Sequence, residues 1–434
     1  MLHWLSQLRD MPTPVAPASQ RSIPKHSPVS LDHERSGVED KPTDWAMIEA
    51  QLPPEWRELA DRMRLIRDYP PHMNTKIKDI RDLLRVVLHY VAGSSLRMTA
   101  ALASAAGIVV LTSVALHKWM KKLGPYLAAL LQRMVGGAAF LPEHWGGLDV
   151  IAADATTVQR PGSKGTTARV HYALRLSDLS ARHIEVTDDK GGETARRFRA
   201  EPGELWLFDR IYANPPGVAA IHSRKAHMIV RYNRGTLPLY DEHGDLVDVD
   251  ALLRQTSTRC QAYQHPARVK RLEGVITGRL CWLHLPEEKA LEARQRLQRE
   301  AGGDCDADAL YAAEFVVVFT TTTNQLSAQQ VLEVYRARWQ VELEFKRSKS
   351  IEELDKLPNF LPETIYSWIC AKLLLQQIAH KIATSAVAFP PSGLVGLSGC
   401  TLAPISSTPS GRTKPRARRR RAVVCRKIGM ADSV

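Results

Sequence analysis

Two short apolar runs, each ending in an aspartate, constrain the fold of this chain more than any other feature. Residues 148–153 lead into Asp154, and residues 205–208 lead into Asp209. Apart from Asp149 in the first run, these residues are apolar, and apolar runs of this length are typical of strands buried on both faces in an α/β sheet. A carboxylate that follows such a strand is costly to bury unless it is paired or binds a metal. Each run therefore predicts a central strand with a polar group at its carboxyl end.

The segments around these runs complete an α/β pattern. Strand candidates at 170–176 and 183–187 are joined by a turn at 177–181, and they lie between the two runs. A helical segment at 215–225 and a strand candidate at 228–232 follow the second run. Antiparallel strands followed by strand–helix–strand predict a mixed α/β sheet whose middle strands are buried.

The two aspartates have two possible explanations. Taken singly, Asp154 would cap the turn that begins at Ala155, and Asp209 would pair with the adjacent Arg210. Taken together, they would meet where α/β sheets build their sites, at the carboxyl ends of strands. Two convergent carboxylates provide the oxygen ligands that Mg²⁺ prefers. These residues alone leave both explanations open.

A long helix is predicted over residues 327–350, which contain no proline or glycine, and a second apolar helix over 363–384. At 100° per residue, four polar residues of the first helix share a stripe about 60° wide: Tyr335, Arg338, Glu342 and Lys349. Apolar residues, Trp339 among them, flank this stripe, and the ordinary solvent face lies opposite. Since a surface helix needs only one polar face, the second one indicates a cleft. The alternative is a buried Tyr–Arg–Glu network that serves only structure.

The polar stripe suggests a specific chemistry. Glu342 would supply a third carboxylate, Arg338 would bind phosphate oxygens in bidentate fashion, and Lys349 would act as a point charge. Three acids with flanking cations are what two-metal phosphodiester chemistry requires. The sequence contains no Walker-type phosphate loop, HExxH or GxSxG motif that would favour another mechanism.

Residues 234–313 interrupt the α/β order and predict a β-rich insertion. They contain short strand candidates at 275–276 and 280–285 and a charged helix at 286–300. Residues 315–320 then predict a strand that returns to the sheet.

The region before the sheet, residues 45–140, has helical periodicity and predicts a separate helical domain. Two short helical candidates, 100–105 and 113–122, are broken at Gly107 and have the size of a helix-turn-helix. Four residues of the second candidate could meet DNA phosphates: His117, Lys118, Lys121 and Lys122. Plain helical packing is the alternative explanation.

The two ends of the chain lack periodicity. Residues 1–44 are rich in proline, serine and charge and predict a disordered arm. Residues 386–434 hold nine of the lysines and arginines but one acid, in a chain of net charge +13, and predict a basic low-complexity tail. Such charge suits a polyanion such as DNA, although a solvated tail without a specific role would have the same composition.

The composition also bears on location. No apolar run reaches the roughly 18 residues that a membrane helix needs. The first ten residues carry no secretory leader pattern, and the six cysteines form no CxxC pair. We therefore expect a cytoplasmic, nucleoid-associated protein with no membrane partner and reduced cysteines.

The spacing Y-x-x-R-x-x-x-E-x-x-x-x-x-x-K is met without a gap by the four residues of the stripe. It follows the aspartates of Asp154-Ala155-Thr156 and Asp209-Arg210-Ile211-Tyr212. Over residues 80–385, the chain resembles the DDE transposases of insertion sequence family four. The resemblance implies a ribonuclease-H-like catalytic domain over 148–385, with the β-rich insertion inside it.

The same resemblance implies roles for these residues. Asp154, Asp209 and Glu342 would be catalytic and bind two Mg²⁺ or Mn²⁺ ions. Tyr335, Arg338 and Lys349 would touch the DNA of the transposon end. Together they would cleave double-stranded DNA and join the freed 3′ hydroxyl to target DNA, within a homodimer.

Two other functions remain open: a DNA-binding protein or inactive remnant without catalysis, and a nuclease without strand transfer. Because related proteins continue with helical sequence, the tail after about Ala388 suggests a frameshift.

Overall fold

A computed structural model describes most of the chain: residues 44–66, 77–135, 145–256, 258–302, 305–323, 325–350, 353–358 and 361–386. The arm predicted over 1–44 and the tail predicted over 386–434 lie outside the described residues, apart from Asp44 and Ala386.

The described residues form an eight-stranded mixed sheet. Its strands are β1 Asp149–Val158, β2 Ala168–Arg175, β3 Ala181–Asp188, β4 Glu204–Phe208, β5 His227–Arg231, β6 Ala262–Arg271, β7 Gly274–His284 and β8 Phe315–Thr320. Their spatial order is β3-β2-β1-β4-β5-β8-β7-β6. The β1–β4 and β4–β5 pairs are parallel, and the other pairs are antiparallel. The predicted α/β class with buried middle strands is confirmed.

The helices before the sheet are α1 Asp44–Glu49, α2 Trp56–Arg62, α3 Ile80–Val91, α4 Leu96–Ala105 and α5 Ser113–Met134. Those after β4 are α6 Pro215–His222, α7 Val249–Arg254, α8 Glu287–Ala301, α9 Ala307–Ala313, α10 Ala328–Arg336, α11 Trp339–Ser350 and α12 Pro362–Ala386. No helix in the described part of the chain combines the length and apolar character needed to cross a membrane.

The insertion is continuous with the main sheet. The two strand candidates at 275–276 and 280–285 belong to one strand, β7, which pairs with β8. The edge strand β6 was not predicted, because its residues form neither a continuous apolar run nor a strict alternation of polar and apolar side chains. It also carries Pro266, which cannot donate a backbone hydrogen bond and is tolerated at a sheet edge.

The N-terminal helices share one hydrophobic core with the sheet. Leu127 of α5, Val150 of β1 and Leu374 of α12 belong to the same buried cluster. The contact between α5 and α12 is close, since a Cβ added at Gly124 would lie 2.6 Å from Cδ1 of Tyr366. A buried lysine, Lys372 of α12, donates to the carbonyl of Val91 in α3 at 2.7 Å. The helical region therefore packs on the sheet both directly, where Gln132 of α5 donates to the carbonyl of Ile184 on β3, and through α12, and it does not have a separate core.

The helix predicted over 327–350 is broken into α10 and α11. Four backbone N–H groups around the break bond to the carbonyl three positions earlier: those of Ala337, Arg338, Gln340 and Val341. This tighter winding changes the direction of every later side chain relative to a regular α-helix. The expectation that Trp339 packs beside the stripe was wrong, because Trp339 is 52% exposed.

The helix-turn-helix candidate differs from its predicted form. Residues 106–112 connect α4 to α5. This connection is longer than the three- or four-residue turn of helix-turn-helix motifs. The second helix also continues to Met134 and does not end near Lys122. DNA binding by this pair of helices stays a prediction.

Candidate functional site

Asp154 and Asp209 belong to two neighbouring parallel strands in the middle of the sheet. Asp209 directly follows β4, as predicted, whereas the expectation that Asp154 lies at the carboxyl end of its strand was wrong, because β1 continues to Val158 by pairing with β2. In the β1–β4 register, Ala152 lies opposite Leu207, and each aspartate comes two positions later. Ala152 and Leu207 belong to the same buried cluster on one face of the sheet. Since side chains two positions apart along extended backbone point to the same face, both carboxylates are directed to that face. The structure thus brings the two aspartates together.

The carboxylate of Asp154 is held from two sides. Its Oδ1 accepts the N–H of Ala155 at 2.8 Å, and its Oδ2 lies 3.4 Å from Nη1 of Arg338. Burial raises the pKa of Asp154 to about 6, and the negative charge of Asp209 adds to the effect, although Ala155 and Arg338 oppose it. Asp209, by contrast, makes no capping hydrogen bond to the short 3₁₀ turn Arg210–Tyr212 that follows it.

Arg338 connects the sheet to α11. Besides its contact with Asp154, its Nη2 donates to Oε1 of Glu342 at 2.5 Å. The Arg338 side chain is 14% exposed, whereas that of Glu342 is 47% exposed. Burial works against the guanidinium charge, but Tyr335, Glu342 and Asp209 outweigh it and raise the pKa of Arg338 above its ordinary value. Arg338 therefore stays charged between the two carboxylates.

The docking of α11 on the sheet sets this geometry. Val341 and Phe345 are buried in the same cluster as β1 and β2. The ring of Phe345 lies edge-on to that of Tyr172 on β2, with centroids 6.1 Å apart. At the far end of α11, Nζ of Lys349 donates to the carbonyl of Thr157 on β1 at 3.2 Å.

Tyr335 lies behind this cluster, at the end of α10. It is buried, and that burial raises its pKa to about 12 despite the nearby guanidinium groups of Arg338 and Arg231. Its hydroxyl is also within electrostatic range of Asp209. All four residues of the predicted stripe thus lie near the second half of β1, which carries Asp154, or near the carboxylate of Asp209 that follows β4.

The cationic residues of α5 lie elsewhere. Lys118, Lys121 and Lys122 are exposed, and Lys122 lies over the ring of Trp119, 5.9 Å from its centroid. His117, on the same helix, is partly buried.

Glu193 and Tyr212, which the sequence did not assign to the site, interact electrostatically with the aspartates, and Arg169 pairs with Glu193. Glu193, in the connection between β3 and β4, pairs with Nε of Arg169 at 3.3 Å and interacts electrostatically with Asp154 and Asp209. The hydroxyl of Tyr212 is fully buried and has no hydrogen-bond partner among the described residues. The sequence could have identified Tyr212 by its position three residues after Asp209. The spacing of Glu193 and of Arg169 gave no indication that they interact with the site.

The insertion also reaches the site. Arg296 of α8 is paired with Glu300 at 2.9 Å and interacts electrostatically with both Glu342 and Asp209. The helix of the insertion therefore places one arginine, itself paired with Glu300, within electrostatic range of the carboxylates.

The carboxylates suit a divalent cation by their chemistry, because Mg²⁺ prefers oxygen ligands of this kind. The guanidinium of Arg338 already lies between the carboxylates of Asp154 and Glu342, where a bound metal cation would lie. In this conformation, however, the described residues include no group of three His, Cys, Asp or Glu side chains spaced to hold a metal ion. The residues thus fit a divalent cation in donor type and charge, with a guanidinium standing in for it.

Comparison with known proteins agrees with this arrangement. Residues 145–358 match the family model described as the transposase DDE domain, a segment that contains Asp154, Asp209 and Glu342. The chain is 29% identical over 327 residues to the transposase for insertion sequence element IS421 of Escherichia coli, covering 73% of this chain and 88% of the relative. It is also 29% identical over 326 residues to the putative transposase InsL for insertion sequence element IS186A of Escherichia coli strain K12, with the same coverage. The chain therefore carries a DDE transposase domain and has insertion-sequence transposases among its homologues, and its mixed sheet is consistent with a ribonuclease-H-like fold.

Proposed function

We propose that this protein is a DDE transposase of insertion sequence family four that cleaves double-stranded DNA at the ends of its element and joins those ends to target DNA. The observation that supports this most directly is that Asp154 and Asp209 lie on the same face of the neighbouring central strands β1 and β4. Glu342 is linked to Asp154 through Arg338. The match of residues 145–358 to the DDE domain agrees with it.

Three carboxylates would hold the cofactor, two Mg²⁺ or Mn²⁺ ions: those of Asp154, Asp209 and Glu342. When bound, such ions activate the attacking oxygen and stabilise the leaving oxygen. The protein's own contribution is to fix the two aspartates on adjacent strands and to bring Glu342 to them on α11.

The chemistry consists of two displacements at phosphorus. In the first, a water oxygen attacks the phosphodiester, and the 3′ oxygen of the element leaves as a hydroxyl while the phosphate stays on the flanking strand. In the second, that 3′ hydroxyl attacks a phosphodiester of the target, and the target's own 3′ oxygen leaves. Each step breaks one P–O bond and forms another.

The basic residues around the carboxylates would position the DNA. Arg338 presents a planar donor fork that suits phosphate, and Lys349 presents a point charge near the end of β1. Tyr335 is 7% exposed, so it acts mainly by holding Arg338 in place. Lys118, Lys121 and Lys122 would bind the DNA backbone away from the site, together with His117. Two copies of the chain would hold two ends together, in association with the nucleoid.

Cleavage of DNA by the full chain tests this function. The substrate is a duplex that carries the inverted repeats flanking the gene, incubated with Mg²⁺. We expect Asp154→Asn, Asp209→Asn and Glu342→Gln each to abolish nicking while leaving DNA binding intact, and the exposed control Asp189→Asn to cut normally. Normal cutting by any of the three site variants would overturn that residue's assignment.

The products distinguish the remaining alternatives. Joined donor–target molecules support strand transfer. Nicked products alone indicate a nuclease, and binding without any cutting indicates a DNA-binding protein or an inactive remnant.

A further inference from the structure

The strand that carries Asp154 extends well beyond its neighbour β4. β1 pairs with β4 as far as Ala152, whereas it pairs with β2 as far as Val158. At about 3.3 Å per residue, Val158 lies about 13 Å beyond Asp154 along the strand. The loop that joins β1 to β2 therefore lies outside the site, at the end of the strand that carries one of its carboxylates.

This β1–β2 loop is held by its own hydrogen bonds and carries positive charge. The N–H of Thr167 donates to the carbonyl of Val158, and the N–H of Arg160 donates to Oγ1 of Thr167, each at 2.9 Å. Residues 155–169 contain three lysines or arginines and no aspartate or glutamate. Arg160 and Lys164 are exposed. The loop thus presents two cations to solvent from a defined backbone.

The far end of α11 carries the same charge beside this strand. Lys346 and Lys349 come four and seven positions after Glu342, so the three side chains lie on the same side of the helix. At 1.5 Å per residue, Lys349 is about 10 Å beyond Glu342 along the helix axis. Nζ of Lys349 donates to the carbonyl of Thr157 at 3.2 Å, so this end of α11 lies next to the second half of β1. The helix and the strand therefore run outward together, from Glu342 and from Asp154.

Four of these cations have no carboxylate partner in the part of the chain that the structure describes: Arg160, Lys164, Lys346 and Lys349. Two neighbouring arginines, by contrast, are paired, Arg169 with Glu193 and Arg347 with Glu344. The acid nearest in the sheet, Asp188 at the end of β3, is separated from β1 by β2. Uncompensated positive charge thus continues outward from the carboxylates of the site.

This arrangement suits the phosphate backbone of a DNA duplex. A duplex carries one negative charge per about 1.7 Å of its axis, so one that reaches Asp154 has several phosphates within the roughly 13 Å to Val158. Cations that neutralise these phosphates release counterions, and such contacts position a duplex without reading its sequence. A solvated loop and helix end are the alternative, in which these charges leave DNA binding unchanged.

We propose that Arg160, Lys164, Lys346 and Lys349 form an outer DNA-binding surface, which holds the phosphate backbone of the duplex where it leaves the site at Asp154. The inference rests on the proposed function, which already assigns Lys349 to DNA, and it adds the other three residues. Because the contacts are to the backbone, the surface binds duplexes with and without the element's inverted repeats.

Fluorescence anisotropy with the full chain at several salt concentrations tests the surface. The triple variant Arg160→Ala, Lys164→Ala and Lys346→Ala should lower the slope of log K against log salt by about 2.7, with either kind of duplex. The charge-conserving triple variant Arg160→Lys, Lys164→Arg and Lys346→Arg should bind like wild type. The matched control is Arg224→Ala with Lys225→Ala, which removes exposed charges after α6 on the opposite face of the sheet and should leave the slope unchanged.

Activity assays identify the DNA that uses the surface. Slower nicking of the element end by the alanine triple variant assigns the surface to the DNA that flanks the element. Slower joining of pre-cleaved ends assigns it to the target, and either result supports the proposal.

The failures of the surface and of the proposed function differ. An unchanged salt slope in a folded alanine triple variant overturns the surface, while the proposed function stands if the wild-type chain cuts DNA. If the wild-type chain binds neither duplex, the proposed function fails and the surface fails with it. Should circular dichroism show that the triple variant is unfolded, Lys164→Glu in the exposed loop decides, since an unchanged slope there overturns the proposal.

Discussion

The guanidinium of Arg338 lies 3.4 Å from the carboxylate of Asp154, although 184 positions of sequence separate them. The same guanidinium donates to Glu342, so one cation joins the middle of β1 to the helix that carries the third acid. This contact makes the geometry of the carboxylates depend on how α11 docks against the sheet.

Replacing Arg338 by alanine should impair both stability and cleavage. Asp154 and Glu342 would lose the cation between them, and leaving a partly buried carboxylate without its partner costs about 1–3 kcal/mol. We expect that loss in the free energy of unfolding by urea denaturation, with a fall in the cleavage rate of about a hundredfold or more, because phosphate positioning is lost as well. Arg336→Ala, an exposed arginine in the last turn of α10, is the control. Wild-type stability and cleavage in Arg338→Ala would contradict the bridging role.

The lysines of α5 should determine how DNA binding depends on salt. Each lysine that neutralises a phosphate contributes about 0.9 to the slope of log K against log salt. If Lys118, Lys121 and Lys122 each contact a phosphate, the triple alanine variant should lower that slope by about 2.7. Fluorescence anisotropy with duplex DNA measures it. Arg224→Ala, an exposed charge after α6 on the opposite face of the sheet, should change little. An unchanged slope in the triple variant would favour plain helical packing for α4 and α5.

The contact between α5 and α12 should not tolerate a larger residue at Gly124. A Cβ there would lie 2.6 Å from the ring of Tyr366 and 3.0 Å from Oγ of Ser367. Gly124→Val should therefore lower the free energy of unfolding by about 1–3 kcal/mol through overpacking. Gly165→Val, in a loop where no atom lies within 4 Å of the added Cβ, is the control for thermal denaturation. Equal free energies of unfolding for Gly124→Val and Gly165→Val would show that α5 and α12 can move apart without loss of stability.

His171 should make the protein less stable in mild acid. Burial, together with Arg197, lowers its pKa from 6.5 to about 4, and its Nε2 lies 3.1 Å from Oγ1 of Thr187. Because the unfolded chain takes up the proton first, this contribution is complete above pH 6.5 and is lost as the pH falls towards 4. It amounts to at most about 3 kcal/mol.

Urea denaturation at several pH values measures this effect as the difference between wild type and His171→Gln, which removes the contributions of other titrating groups. That difference should shrink between pH 7 and pH 4. The exposed His243→Gln should follow wild type throughout, and a constant difference for His171→Gln would rule out the assignment.

Much of the site was predictable because it depends on patterns within short stretches of the sequence. The apolar runs before Asp154 and Asp209 identify central strands without any tertiary information, and parallel neighbours place their ends together. The break between α10 and α11 turns Trp339 to solvent, yet Arg338, Glu342 and Lys349 remain near Asp154 and β1 through their own contacts. Strand β6 escaped prediction, since its pattern is that of an edge strand with mixed polarity.

Local sequence thus determined which strands are central, which acids lie on or directly after them, and that residues 327–350 are mostly helical, since burial and helical period act over a few residues. Only the tertiary structure decided that Arg338 bridges Asp154 and Glu342 and that Trp339 faces solvent. These relations join segments far apart in the chain. They are set by strand register and helix docking, which depend on how the whole core packs.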